Sequence, residues 1–482
     1  MPDPKFNSFI YVRSNDKGQQ ESIGYSHDLD DLRTMAKGGQ LPKEESSTTD
    51  EEEKVSMIQV GLGEDMRRAL SIGFSQQHLI LITDAFRQIS SMSVGRELSD
   101  NFALPENCLE TGELYKIYGL DEDSTIRYHN RIRQAGYIKE GMESLPSAIL
   151  LSLVATFDSF VADIVRKMLR QRPERYSASD RVMSVRDILK LKSFDDFIGV
   201  VIEEETYGFT RGSHEEQVKF IEKHFHVPII KSWPRWADFI EVFERRNLIA
   251  HGEPNYNQRY VDICINAGGA MPGKILGQPV ELVTAYLRSA GDLLLEFSIL
   301  LSFVLWRKHF EETEIEAFET LNETAFDLIS NDRSVVARNI LEFALSLKNP
   351  KITEGTRRML VVNLASAHRH LGEDKRASEI LDEQDWTASA DHFKICVAAL
   401  RGDVDTVSSL MRAVVDAKTV GKSSFRRWPV FKFLRKEPKF QQSFESIFEE
   451  PLDAKKTTTE LKLDDTAVPP ETEQPVIEKT VH

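Results

Sequence analysis

Between Leu145 and Met168 the apolar residues fall at Ile149, Leu150, Leu153, Val154, Phe157, Val161, Ile164, Val165 and Met168. That i, i+3, i+4, i+7 stripe suits one face of an α-helix and not a strand. A helix of about 25 residues must therefore bury the face against other helices. Pro146 stands where a helix would begin, a position at which its missing N–H goes unnoticed. The fold class expected is mainly α: a helical bundle plus α-helical-hairpin repeats, with a small mixed N-terminal region.

One core cannot serve the whole chain. At roughly 150 residues per domain, 482 residues imply about three domains. Hydrophobic residues at 41% and charged residues at 29% exclude a wholly disordered, collagen-like or membrane-embedded chain. The net charge, 61 − 77 = −16, argues against coating nucleic acid through overall charge, so any such contact is local. Cys108, Cys264 and Cys396 are odd in number, widely spaced and without a CxxC pair, which speaks against a disulfide framework or thiolate metal site. The first twenty residues hold no apolar run suited to a signal peptide. A reducing cytoplasm is the expected location. Ala148 to Val165 and Leu293 to Trp306 resemble membrane spans, but Asp158, Asp163 and Glu296 interrupt them, and both read as buried helices with no membrane involved.

Composition divides the chain further. Residues 1–55 are polar, with β-prone Phe9 to Val12 and the acidic stretch GGQLPKEESSTTDEEEK as a linker. Residues 56–140 make a small domain of unassigned role, with helices expected around Met66 to Ile72 and Gln76 to Met92. Glu106, Glu113, Asp121 to Asp123 and His129 could be assembled into a metal site, but surface acid clusters are common, so no metal and no cofactor is expected. Residues 141–310 form the bundle. In it, helices are expected at Val185 to Leu191, Phe194 to Glu205 and Trp233 to His251, the last capped by Ser232 and stopped by Gly252 and Pro254. RYVDICINAGG alternates weakly and predicts a short hairpin or irregular excursion, after which Thr284 caps a helix over Ala285 to Lys308. Residues 311–450 read as helical pairs turning at Asp332, Gly372 and Gly402. Asn363, Leu364, Ala367, Gly372, Ala377 and Leu381 are spaced as in a tetratricopeptide unit. Residues 451–482 are Thr-, Pro- and Glu-rich, a disordered tail.

The residues that suggest chemistry lie in ERRNLIAHG. At about 100° per residue, the apolar stripe Trp236, Phe239, Ile240, Phe243 is continued by Arg246, Asn247, Ala250 and His251. Burying three hydrogen-bonding groups without partners would cost about 1–3 kcal/mol each, so they satisfy one another or face a cleft or second subunit. Arg and His together suit phosphodiester cleavage: a histidine moves the ribose 2′-OH or leaving-group proton while guanidinium stabilises the phosphorane-like transition state. A single histidine serves both steps poorly. Two copies of the helix across a two-fold axis would supply two, which predicts a homodimer. The plain structural alternative for His251 is a helix C-terminal residue interacting with the last carbonyls.

Arg246 to His251 resembles the R-x4-6-H signature of HEPN ribonucleases with x = 4, including the polar Asn247 directly after the Arg. ILLSLVATFDSFVADIV upstream and GQPVELVTAYL at 277 to 287 downstream are similar too, so the resemblance covers about residues 141–310. It implies an all-α bundle that dimerises with the two motifs facing, and metal-independent endoribonuclease activity leaving a 2′,3′-cyclic phosphate. It also implies a setting in bacterial toxin-type growth control or anti-phage defence. His251 would be the acid/base, Arg246 the phosphate stabiliser, and Asn247 the residue orienting either. Arg245 would give x = 5 and leaves the reactive arginine open, although Asn247 favours Arg246. Glu253 stands where some relatives carry a Tyr that is modified to silence them, so that route is not expected.

Other signals are weaker. Gly268 to Lys274 matches G-x4-G-K, yet Ile275 replaces the Ser or Thr, and Gly277 and Pro279 leave no helix to start there. His224 with His226 and His368 with His370 lack helical metal-pair spacing. Arg166, Lys167, Arg170, Arg172 and Arg175 suit a helix C-terminus or, with Arg245, an RNA path. The basic and aromatic stretch 425 to 440 suits either a capping helix of the repeat array or single-strand binding. The reading is a metal-free endoribonuclease with RNA as substrate and a possible protein partner through 311–450. The alternative is a non-catalytic adaptor that dimerises and binds protein or RNA.

Overall fold

The apolar stripe begins to be buried at Pro146, as its periodicity requires, but the helix that carries it begins much earlier. In the computed structural model, α2 (Glu122–Arg170) is capped by Asp121, which accepts from the Ser124 N–H, and Pro146 lies inside it. Proline is thus not the start expected from its preference for a first turn. Residues 122–145 are a largely exposed helical extension, and the core stripe occupies only the second half.

The structure describes residues 9–14, 20–26, 50–103, 108–111, 116–171, 184–188, 190–230, 232–270 and 275–452, without side chains for 9–60, 86–99, 110–118 and 187. The chain divides into two units, Met1–Ile58 and Gln59–His482. In the first, β1 (Phe9–Ser14) pairs antiparallel with β2 (Gln20–Ser26), where the β-prone Phe9 to Val12 were noted. The acidic linker lies outside the described residues apart from its last five, 50–54, which belong to α1 (Asp50–Phe102).

In the second unit, α1 is one helix where two were expected. It shares the bundle core, because Leu62, Met66, Ala69 and Leu70 are buried and the Asp65 carboxylate holds Lys167 at 2.6 Å. Residues 62–70 therefore pack with the bundle. A second hairpin joins α1 to α2: β3 (Cys108–Thr111) with β4 (Lys116–Tyr118). Of the notional metal cluster, Glu106 and Glu113 lie outside the described residues, and Asp121 serves as the cap of α2.

After α2 come α3 (Val185–Ile188), α4 (Phe194–Arg211), α5 (His214–Phe225), α6 (Trp236–Ala250), α7 (Gln258–Asn266) and α8 (Thr284–His309). α5 was not anticipated, although Ser213 and Glu216 form a reciprocal capping box there, a signal legible in S-x-x-E. α6 starts three residues later than expected, since Ser232 bonds back to the Pro228 carbonyl instead of capping. The segment expected as a hairpin is α7: Tyr260 and Cys264, four apart, are both buried with Leu248 and Tyr256, and Asn257 caps the helix. The alternation that suggested strand was overridden by helical burial.

The bundle core is aromatic. Phe157 of α2 meets Phe239 and Phe243 of α6 at 5.7 and 5.6 Å, and Phe297 of α8 at 5.6 Å between ring centroids. α2 and α8 are long and apolar enough to cross a membrane by length and composition, and most of the apolar window of each is buried inside the protein. Gly73 lets α1 approach α8 closely, for a Cβ there would sit 2.7 Å from a Leu295 methyl.

Beyond α8 stack three helix pairs: α9 (Glu314–Ser330) with α10 (Ser334–Ser346), α11 (Glu354–His370) with α12 (Asp374–Asp382), and α13 (Asp391–Arg401) with α14 (Val404–Asp416). Their turns fall at the anticipated Asp332, Gly372 and Gly402, whose φ angles are 56°, 77° and 75°. α15 (Lys422–Arg427) and α16 (Pro438–Phe448) close the array. Phe425, Phe431, Phe440 and Phe444 are fully buried there, while Arg426 pairs with Glu450, Lys432 with Asp332 and Lys439 with Asp405. The stretch that could have stacked on single strands thus spends these rings on a core. Residues 453–482, expected as a disordered tail, lie outside the described residues.

Candidate active site

The two arginines of ERRNLIAHG point to different fates because adjacent helical positions lie about 100° apart. Arg245 turns inward, with 13% of its side chain exposed. Its guanidinium bonds Glu241 at 2.6 Å and the Glu281 carbonyl at 2.9 Å, and lies 3.7 Å from the centroid of the Tyr286 ring. Glu241 also accepts from the hydroxyls of Tyr260 and Tyr286. Burial opposes the Arg245 charge, yet Tyr286 and Glu241 hold its pKa above the ordinary range, and burial followed by Glu241 pushes the Tyr260 phenol up. This closed cluster fastens α6 to α7 and the start of α8. Arg245, proposed from the sequence as a contact for RNA, spends all three guanidinium nitrogens on Glu241 and the Glu281 carbonyl.

Arg246 faces the other way. It donates to the Asn247 side-chain oxygen at 3.1 Å and to Asp158 of α2 at 3.4 Å, with a quarter of its side chain exposed. Asn247 in turn donates to Glu244 at 3.1 Å. The other Asp158 oxygen meets His214 Nε2 at 2.9 Å, and the His214 ring stacks on Phe243, centroids 3.4 Å apart and planes 14° apart. Asp158 thus holds Arg246 with one oxygen and a histidine with the other. His214 is itself nearly buried, at 11% side-chain exposure.

His251 ends the helix. Its backbone N–H reaches the Asn247 carbonyl at 3.0 Å, and Gly252 follows at φ 70° with Glu253 N–H bonding back to the Leu248 carbonyl at 2.9 Å. That 6→1 bond past a left-handed glycine is a Schellman stop. The His251 side chain is exposed, and among the described residues no hydrogen bond to its ring is found. Arg246, a quarter exposed, and His251, exposed, therefore both lie near the C-terminal end of α6, with Asn247 between them in sequence and tied to Arg246.

Asp158 and His214 were missed as site residues. Asp158 was noted only as a charge interrupting an apolar run, and His214 follows the overlooked capping box. Their separation from Arg246, 88 residues for Asp158, leaves no local pattern that joins them.

The remaining basic residues divide. Arg166 is paired with Asp163 at 2.7 Å and Glu203 at 2.8 Å, and Lys167 with Asp65. Arg170 is exposed and lines an open depression of about 910 Å³ with Lys190, Lys192, Glu204 and Tyr207. Arg172 and Arg175 lie outside the described residues. Gly268 and Gly269 end α7, with Gly269 N–H on the Cys264 carbonyl at 2.9 Å, so the glycine pair sits at a helix C-terminus, opposite in polarity to a phosphate cradle.

Burial pushes the thiols of Cys264 and Cys396 up to about 12. A raised thiol pKa means less thiolate, roughly one part in ten thousand at pH 8. Titration of the native protein with Ellman's reagent should accordingly show one fast thiol, Cys108, and release the other two only on denaturation. Two or three fast thiols would contradict the buried placement.

No protein-family model matches this chain, and no curated protein and no solved structure matches it.

Proposed function

We propose that this chain is a metal-independent endoribonuclease of the HEPN type, acting in bacterial defence or toxin-type growth control. The observation that carries the proposal is an exposed His251, with no ring hydrogen bond among the described residues, at the same helix end as an Arg246 held by Asp158. In this reading the ribose 2′-oxygen attacks phosphorus and loses its proton to a histidine. The P–O5′ bond breaks, a proton goes to the departing 5′-oxygen, and a 2′,3′-cyclic phosphate and a 5′-hydroxyl remain. Arg246 stabilises the charge gathering on the non-bridging oxygens. Asn247 limits the swing of Arg246 through its 3.1 Å bond.

His214 is committed to Asp158 and packed on Phe243, so the second proton-transfer group comes from His251 of a second copy across a two-fold axis. Incubation of purified wild type with total RNA in EDTA, followed by mapping of end chemistry, tests the reaction. Cyclic phosphate ends are expected, and an absence of cleavage in the dimeric wild type would overturn the reading.

Asp158 acts as a positioning residue. Asp158→Asn keeps the shape and removes the charge that orients Arg246, so kcat for RNA should fall about ten- to hundredfold while KM changes little. A change confined to KM would place Asp158 in substrate docking.

A further inference from the structure

Along one side of the helix pairs, the first helix of each pair and residues 428–430 enclose a cleft of about 500 Å³. That volume is within the range of ligand-binding clefts. Its floor is apolar, formed by Val362, Cys396 and Val430, and Phe326 with Trp428 makes an edge-to-face wall, ring centroids 6.3 Å apart. His392 and Phe393 stand on the α13 side. Half-exposed aromatic rings around an empty space retain faces for a ligand.

The charges within the cleft are of one sign. Glu323 and Asp327 sit one turn apart on α9, and none of the lining residues is a lysine or arginine. Among the described residues Glu323 has a single cation within 4 Å, Arg67 at 3.8 Å, with both side chains more than 60% exposed, a separation worth little in water. The Asp327 carboxylate has no ion pair or hydrogen bond among the described residues, and partial burial and then Glu323 raise its pKa. At the base, Asn363 donates to the Asn322 oxygen at 2.9 Å, which leaves the Asn322 amide hydrogens and the Asn363 oxygen without partners among the described residues. One donor and one acceptor side by side match the N–H and C=O of an extended backbone.

We propose that this cleft binds an extended peptide segment of a protein partner through a lysine or arginine side chain, whose apolar stem lies on Val362 and Val430 and whose charge lies between Phe326, Trp428 and the Glu323/Asp327 pair. Aromatic faces and carboxylates attract the same cation, the faces by their quadrupole and the carboxylates by charge. A cation also relieves the repulsion between the two acids. The inference stands apart from the ribonuclease reading, since none of its residues belongs to that site.

The test is selection from a pool of acetylated, amidated random heptapeptides on the immobilised full chain, with sequencing of the bound fraction. Lysine or arginine at one position, flanked by apolar residues, should be enriched at least about fivefold over input. The enrichment should vanish in the Glu323→Gln/Asp327→Gln double variant, and Asp327→Lys should reverse it toward acidic residues. Both acids are exposed, and matching thermal melts would confirm that the variants fold. Absence of cation enrichment, enrichment of purely apolar peptides, or enrichment unchanged in the double variant would overturn the proposal. A shift from dimer to monomer in Asp327→Lys would overturn it too, by assigning the cleft to a second copy of this chain.

Discussion

His251→Ala is expected to lower RNA cleavage by about 10²–10⁴-fold, the range typical for loss of a general acid or base. Arg246→Ala should lower it by a similar factor, because a preorganised charge aimed at the transition state is removed. The two differ in their structural cost. His251 is exposed and unpartnered among the described residues, so its replacement should leave the melting temperature unchanged. Removing Arg246 leaves Asp158 with His214 alone. Arg245→Ala should behave in the opposite manner, losing stability first, since it strips Glu241 of the cation paired with it inside the tyrosine cluster. Wild-type cleavage by His251→Ala protein would rule out the assigned chemistry. If expression of the wild type slows growth, the same substitution should relieve it, whereas a purely adaptor role predicts no difference between the two.

The largest effect on stability is expected at Glu296, in the middle of α8. This carboxylate is 2% exposed and accepts from Trp233 Nε1 at 2.9 Å, Arg235 Nη1 at 2.9 Å and Asn339 Nδ2 at 2.8 Å. Trp233 and Arg235 belong to the approach to α6, and Asn339 to the second helix of the first pair. One side chain therefore ties the bundle to the helix pairs and fixes the start of the helix that carries the motif. Glu296→Ala should cost about 3–5 kcal/mol, because it leaves the buried Trp233 indole N–H and the Asn339 amide without this acceptor and reduces Arg235 to its 3.6 Å contact with Asp238. Glu296→Gln keeps an acceptor oxygen but not the charge, and should fall between the two proteins. Urea denaturation followed by far-UV circular dichroism measures both. A loss below about 1 kcal/mol for the alanine variant would show that the three donors find other acceptors and that Glu296 is not the joint.

Much of the helical layout was legible in the residues. The stripe from Ile149 to Met168 is buried as its spacing demands, and Gly252 ends α6 in a left-handed turn. Asp332, Gly372 and Gly402 each turn a helix pair. These features are local: a 3.6-residue period or a positive φ angle is decided by a few neighbours along the chain. Where a local signal misled, a longer-range one had prevailed. Pro146 did not start its helix because Asp121 already had, and the alternating RYVDICIN became α7 because Tyr260 and Cys264 had a core to enter beside Leu248 and Tyr256.

The site divides in the same way. The sequence alone placed Arg246, Asn247 and His251 together at one helix end, since a spacing of five residues is a matter of helical geometry. It favoured Arg246 over Arg245 through the neighbouring Asn247 alone, and it was silent on Asp158 and His214. Only the tertiary structure gave the two arginines their partners, sending one to Glu241 and the tyrosines and the other to an aspartate 88 residues away. Which carboxylate a cation meets depends on how helices pack, and packing brings together residues that no stretch of sequence holds side by side.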